Sequence, residues 1–320
     1  MGNLAMKHLA AALATLLFAG ITSADQSIPD KYPDSVLYDA PREVIPGVWS
    51  SIGATAPPSY ENSGHNNNLS FIITSEGVVV VNAGACYQLA QALHEEIRRI
   101  TEQPVRYVIL ENGQGHAALG SNYWQEQGVP VIAHVYAAEE IEESAHALLS
   151  RMQGYNRDKA ERTEVALPDI TFEDQYVIEL GGMRIEALYL GPGHSPGDIQ
   201  VWLPQQKLVI SGDMAFHQRL LPIFDNTDTK GWLETYERFL ALEPEIVIPG
   251  HGVPTNVDVV TQYTKDYLIF LRGEVQKLLD EDGTLADAYE IDQSAYSDLD
   301  TFEELAARNA GVVFEAMEFE

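Results

Sequence analysis

After Arg42, short runs of β-branched and apolar residues alternate with stretches whose apolar positions recur every three or four residues. The first kind predicts strands over Val44–Ser50, Leu69–Thr74, Val78–Asn82, Val105–Leu110, Val131–Ala133, Tyr176–Leu180, Arg184–Tyr189, Ile199–Leu203, Leu208–Ser211 and Ile246–Ile248. Turn residues bound these runs, and Gly77, Gly181-Gly182 and Pro204-Gln205-Gln206 mark hairpins. The second kind predicts helices over Tyr87–Thr101, Ala118–Gln127, Ala137–Gln153, Lys230–Leu240, Val257–Asp280 and Thr301–Met317. In the first helix Leu89, Leu93, Ile97 and Ile100 share one face; in the last, Phe302, Leu305, Ala306, Val313 and Met317 do. Asn156–Asp169 reads as a charged surface excursion and Glu281–Asp300 as an acidic loop.

The hairpins fall into two separate groups, each flanked by helices. That pattern predicts an α/β protein of four layers, an αβ/βα sandwich in which two mixed sheets face each other and helices cover the outsides. Loops at the strand ends then line one common groove. With no repeat and no low-complexity linker, residues 25–320 read as one domain, its core at about 43–256 and its closing helices at 257–320.

The first 24 residues read differently. Lys7 and His8 precede an uncharged run from Leu9 to Ile21, and Thr22-Ser23-Ala24 supply small residues before Asp25. The run is well short of the ~20 residues that span a bilayer. A basic start, a short apolar stretch and a small-residue exit identify a secretory signal peptide over residues 1–24, with an uncleaved anchor as the alternative. The mature chain then works outside the cytoplasm, most simply in a periplasm.

Composition narrows the partners. Of 320 residues 45% are hydrophobic and 21% charged, which excludes disorder, collagen-like repeats and a disulfide scaffold. Lysine and arginine total 19 against 48 acidic residues, and 19 − 48 gives −29. A surface of that sign repels phosphate backbones and anionic headgroups, so the expected partner is a small-molecule substrate, with no nucleic acid and no membrane. Oligomeric state stays open. Cys86 is the single cysteine, so no intramolecular disulfide forms, and beside an apolar strand it reads as a small buried hydrophobe.

The chemistry lies in four glycine-rich loops that follow predicted strands. They are Glu111-Asn112-Gly113-Gln114-Gly115-His116, Gly191-Pro192-Gly193-His194-Ser195-Pro196-Gly197-Asp198, Ser211-Gly212-Asp213 and Pro249-Gly250-His251-Gly252. Glycine lets the chain turn tightly at a strand mouth, where a rigid backbone can aim one imidazole or carboxylate. Three histidines and carboxylates converging in a groove suit a divalent, zinc-like ion.

These motifs, in this order and each after a strand, resemble the metallo-β-lactamase superfamily from about Glu43 to His251 and on through the C-terminal helix. The resemblance implies the αβ/βα sandwich and a metal-dependent hydrolase acting on an ester, thioester, lactone or lactam. It also shows a departure. The family's main loop is His-x-His-x-Asp-His, and here the same six places read Glu111, Asn112, Gly113, Gln114, Gly115 and His116. Only the last histidine is kept. Carried over by position, one ion keeps His116, His251 and Asp213, while the other keeps only His194 and the shared Asp213. The implied centre therefore holds one Zn2+ or similar divalent ion at His116, His251 and Asp213, with His194 assisting. Glu111 is either a substitute ligand, a proton acceptor beside Asp213 in the catalytic role, or a carboxylate paired to a nearby donor. Gln114 stands where it can partly replace the lost aspartate.

Further candidates are His65, facing the groove or packed in its loop, and His217, four residues beyond Asp213 at the same mouth. His134 and His146 read as surface residues and Asp198 as the residue that orders its turn. Tyr60, Trp124 and Trp232 either shape a pocket or belong to the core. Against the hydrolase stands a second reading, a catalytically impaired member that binds a metal or small ligand, which the glycines at 113 and 115 favour. A phosphodiesterase or redox member is a third.

Overall fold

The computed structural model describes residues 28–320. The leader expected over residues 1–24 lies outside the described residues. Strand β1 (Arg42–Ile45) turns back into β2 (Val48–Ser51), followed by β3 (Leu69–Thr74), β4 (Gly77–Val81), β5 (Val105–Ile109), β6 (Val131–His134) and β7 (Ile170–Phe172). These seven form one sheet in chain order, antiparallel as far as β4 and parallel from β4 to β7. The single strand predicted over Val44–Ser50 is therefore a hairpin. Pro46-Gly47 breaks it, with Gly47 at φ +83°, a conformation glycine takes without strain.

The second sheet holds β8 (Gln175–Leu180), β9 (Met183–Leu188), β10 (Gln200–Leu203), β11 (Leu208–Phe216) and β12 (Ile246–His251), ordered β12-β11-β10-β9-β8. Its strands are antiparallel except for the β11–β12 pair. The Gly181-Gly182 hairpin forms as predicted, with Leu180 opposite Met183.

Helices α1 (Tyr87–Ile100), α2 (Gly115–Ala118), α3 (Ser121–Glu126) and α4 (Val135–Asn156) belong to the first half. Helices α5 (Thr229–Leu240), α6 (Val257–Tyr263), α7 (Lys265–Asp280), α8 (Leu285–Ala288) and α9 (Phe302–Met317) belong to the second. The helix predicted over Ala118–Gln127 is thus two short ones, and that over Val257–Asp280 is interrupted at Thr264. The hydroxyl of Thr264 accepts the Phe216 N–H at 2.9 Å, tying the interruption to the end of β11. Within the predicted acidic loop lies α8, whose Thr284 and Asp287 form a reciprocal capping box.

Three apolar layers hold the sandwich together. Ile72, Val79 and Ile109 from the first sheet meet Ile185, Val201 and Ile248 from the second, with no helix between them. Leu89, Leu93, Ile97 and Trp124 cover the other face of the first sheet. Trp232, Tyr236, Leu271 and Phe314 cover the other face of the second. Trp124 and Trp232 therefore belong to the core. The two sheets are mixed, and helices flank both, as the patterning predicts. No helix among the described residues is long and apolar enough to cross a membrane.

Candidate metal centre

Both sheets end at one site. Glu111 begins the loop after β5, and His116 is the second residue of α2. His194 follows β9, Asp213 lies inside β11, and His251 closes β12. The strand predicted to stop at Ser211 instead runs to Phe216, with a register shift at Gly212. Asp213 is therefore a strand residue displaced by a bulge rather than a turn residue, a device that re-aims a side chain. Gly212 sits at φ +54°, and a Cβ there would strike the Glu111 carboxylate. The same glycine thus shapes the bulge and admits Glu111 to the centre.

Asp213 is the hub, 2% exposed. Its Oδ2 lies 3.4 Å from His116 Nε2 and 3.7 Å from His194 Nδ1, and its Oδ1 lies 3.2 Å from His251 Nε2. Glu111 Oε1 is 3.2 Å from His116 Nε2. Asn112 donates to Asp213 Oδ2 at 3.4 Å. Burial alone would raise the Asp213 pKa, but the imidazoles of His251, His116 and His194 hold it well below the usual carboxylate range. Burial pulls His194 down to about 4, and burial with Arg219 alongside does the same to His251. Burial also opposes charge on His116, yet Asp213 and Glu111 outweigh it and raise that imidazole.

Tautomers follow from the partners. His251 Nδ1 faces the Asn66 carbonyl, which can only accept, so the proton sits on Nδ1 and Nε2 turns a lone pair toward Asp213. Arg219 Nη1 also approaches the same Nδ1 at 3.3 Å, a longer contact than that of the carbonyl. Asp213 Oδ1 has no hydrogen-bond partner, and neither has the buried His194 Nε2. With that tautomer two acceptor atoms face each other 3.2 Å apart in a buried site, an arrangement that a cation between them relieves. Glu111, His116 and Asp213 offer three donor atoms that all lie within 4.8 Å of one another. This oxygen and nitrogen set fits a zinc-like ion.

The structure thus gathers Glu111, His116, His194, Asp213 and His251. Gln114 is there too, its amide donating to His194 Nδ1 at 2.9 Å. Gln114 therefore engages the ring atom of His194 that faces Asp213. At Gly113 a Cβ would come 2.6 Å from the Ala137 carbonyl oxygen and 2.9 Å from Glu140 Oε2. Helix α4 occupies the space that a histidine at 113 needs. Asp198 accepts from the Ser195 N–H at 2.8 Å and hydroxyl at 2.9 Å, ordering the His194 turn as expected.

One open alternative is decided and two expectations are corrected. His65 does not face the groove: it is fully buried, and its Nδ1 accepts the Tyr38 N–H at 2.9 Å. His217 does not line this mouth; its Nδ1 reaches the Val253 carbonyl at 3.0 Å and its side chain borders a separate cavity with Tyr263 and Asp300. His134 is not a surface residue: it caps α4 through Tyr136 N–H and stacks on Tyr189 at 3.8 Å. Tyr60 lies outside the centre, under Lys159 at 4.2 Å.

A cavity of about 570 Å³ opens over the centre, reaching His116, His194, Asp213 and His251. Patterning did not single out its other polar walls, Glu140, Arg151, Arg219 and Arg308. No local motif marks them, because α4 and α9 bring three of them in from distant segments.

The family model of the Metallo-beta-lactamase superfamily matches residues 63–251, more than half of the chain. A metallo-beta-lactamase type 2 from Bacteroides fragilis is 31% identical over 99 residues, 30% of this chain and 40% of that protein. One from Bacillus cereus is 24% identical over 183 residues, 56% of this chain and 64% of that protein. The matches to these curated relatives span less than two thirds of their length. Among solved structures, a metallo-beta-lactamase from Pontibacter korlensis superposes with a TM-score of 0.57 at 21% identity, covering 69% of this chain and 94% of that one. That likeness concerns the fold.

Proposed function

Because the chain belongs to the metallo-beta-lactamase superfamily, we propose that it is a metal-dependent hydrolase with a single ion, acting on an ester, thioester, lactone or lactam. The observation that carries this reading is the buried Asp213 carboxylate, whose Oδ1 faces the lone pair of His251 Nε2 at 3.2 Å with nothing to bond it. Asp213, His116 and His251 are the proposed ligands, with Glu111 beside His116 as the proton-holding carboxylate. A divalent ion held there would supply Lewis acidity for a carbonyl and lower the pKa of water toward neutrality.

The chain's own residues do the rest. Asp213 holds its negative charge among three imidazoles, so its ligand atoms are ionised at any working pH. Glu111 sits 2% exposed with its pKa raised by burial, against the pull of His116, and so is suited to hold and pass a proton at Oε1. The Asn66 carbonyl fixes the His251 ring, and Asn112 restrains Asp213. The apolar walls of the cavity, Leu119, Leu148 and Phe224, limit the water around a bound substrate.

One observation favours the second reading, a ligand-binding protein without turnover. Gln114 already bonds the atom of His194 that faces Asp213, and α4 leaves no room for a ligand side chain at 113. Turnover of ester, thioester and lactam substrates, with and without chelator, in the native chain and in Asp213→Ala, separates the two. Chelator-sensitive turnover abolished in Asp213→Ala is expected; turnover surviving both removes the mechanism, and metal without turnover favours the binding protein. Export, with a mature chain from about Asp25, remains part of the proposal.

A further inference from the structure

Three arginines line the cavity from three different segments: Arg151 on α4, Arg219 after β11 and Arg308 on α9. Among the described residues, Arg42, Arg99, Arg162, Arg184 and Arg272 each hold a carboxylate within ion-pair distance. The three cavity arginines hold none. Arg98, Arg106, Arg157 and Arg238 hold none either, so what sets the cavity apart is the gathering of three such guanidinium groups at one opening in a chain of 48 acidic and 19 basic residues.

Arg219 is 7% exposed and its Nε has no hydrogen-bond partner. Asp213, Glu304 and Asp300 act on it only through space, without an ion pair, so a buried guanidinium here gains from an anion at hydrogen-bond distance. Arg308 lies over the Phe224 ring at 5.3 Å, which fixes its head group at the cavity wall. Two carboxylates share the lining, Asp213 and Glu140. Asp213 lies among imidazoles, and Asp300 and Glu304 also act on Arg219, so within the lining itself Glu140 is the one further carboxylate facing the three cations. The remaining wall is apolar, with Leu148, Met152 and Phe224 between the arginines and the metal centre.

We propose that this cavity selects substrates carrying an anionic group, a carboxylate or a phosphate, at one end of an apolar body. Arg308 and Arg151 take the anion at the mouth, Arg219 adds field from beneath, and the apolar body lies along Leu148, Met152 and Phe224 toward Asp213. The inference rests on the hydrolase reading for what happens next, but the binding step stands by itself. Arg308 comes from α9, beyond residues 63–251 that the family model matches.

The test is calorimetric binding of hexanoate, hexyl phosphate and hexanamide to the full chain, in chelator so that no ion contributes to anion binding. At least one anion is expected to bind ten-fold or more tightly than hexanamide, in keeping with a charge-assisted hydrogen bond. Arg308→Ala and Arg151→Ala, both at exposed positions, each reduce that preference several-fold and leave hexanamide unchanged; Arg308→Lys restores part of it. Whichever anion binds better identifies the group. Equal binding of all three probes, or an undiminished preference in the double alanine variant, overturns the proposal. In parallel, kcat/KM is compared for p-nitrophenyl butyrate and mono-p-nitrophenyl glutarate with metal restored. Anion preference with neither ester turned over keeps the cavity assignment and removes the hydrolase; equal turnover of both esters without anion preference does the reverse.

Discussion

Replacing Gly113 by alanine places a Cβ 2.6 Å from the Ala137 carbonyl oxygen and 2.9 Å from the Glu140 Cβ. An ordinary contact begins at 3.4 Å, so the loop and α4 must separate by 3.4 − 2.6 = 0.8 Å. The obstacle is helix backbone, and Ala137 and Ile141 anchor that helix in the core. Overpacking of this kind costs about 1–3 kcal/mol. At Gly115 the nearest atom is Leu119 Cδ1 at 3.1 Å, the end of a flexible side chain, and the residue opens a helix. There alanine gains about 0.5–1 kcal/mol over glycine, offsetting the tight contact. Urea denaturation followed by fluorescence and circular dichroism should therefore show Gly113→Ala destabilised by about 2 kcal/mol and Gly115→Ala within about 0.5 kcal/mol of the native chain. Metal affinity should fall in the first variant, where helix backbone forces the His116 loop to move, and hold in the second, where only the Leu119 side chain gives way. If Gly113→Ala is as stable as the native chain, steric exclusion by α4 does not explain why this loop lacks a ligand at 113.

The Asn68 amide donates to the carbonyls of Pro249 at 2.8 Å and Gly252 at 2.7 Å, clasping both sides of His251. Asn68→Ala leaves both buried acceptors unsatisfied and should cost about 2–4 kcal/mol in chemical denaturation, with weaker zinc binding in the folded variant. Burial lowers the His65 pKa from 6.5 to about 4. The unfolded chain therefore takes up a proton that the native one refuses, so stability is intact above pH ~6.5 and declines as pH falls toward 4. At pH 5 that is about 2 kcal/mol, and the loss between pH 7 and pH 5 should be smaller by that amount in His65→Gln. Burial pushes the Cys86 thiol up to about 11. A thiol reagent should leave the native protein unmodified over hours at pH 8 and titrate one thiol per chain in urea; rapid native reaction would place Cys86 at an accessible site.

Much of the fold was legible because it depends on period. Leu89, Leu93 and Ile97 recur at helical spacing, and all three are buried on α1. Alternating strands around the Gly181-Gly182 turn produced the hairpin expected of them. Breaks were harder to see where a tertiary contact sets them: Thr264 interrupts a continuous apolar pattern because it caps the end of β11. Asp213 was legible as a site residue and not as a strand residue, since a bulge leaves no trace in hydrophobic patterning. His134 misled because its place at the start of a helical stretch reads as exposed, yet the ring is buried and bonded to backbone. For His65 the sequence left groove and loop packing open, and burial in the loop decides it. Gly113 marked the departure from the family loop, but only the packing of α4 against it gives the physical reason. The cavity arginines could not be read, because nothing in the sequence near Arg151 or Arg308 says which face of its helix meets the groove.

The central claim is that Asp213, held among three imidazoles, grips one divalent ion with His116 and His251. Metal content of the purified full chain, by inductively coupled plasma mass spectrometry after dialysis against trace zinc, tests it directly. One equivalent per chain is predicted, falling below one tenth in Asp213→Ala with its circular dichroism unchanged. Two equivalents, none, or a full equivalent retained in Asp213→Ala would contradict it.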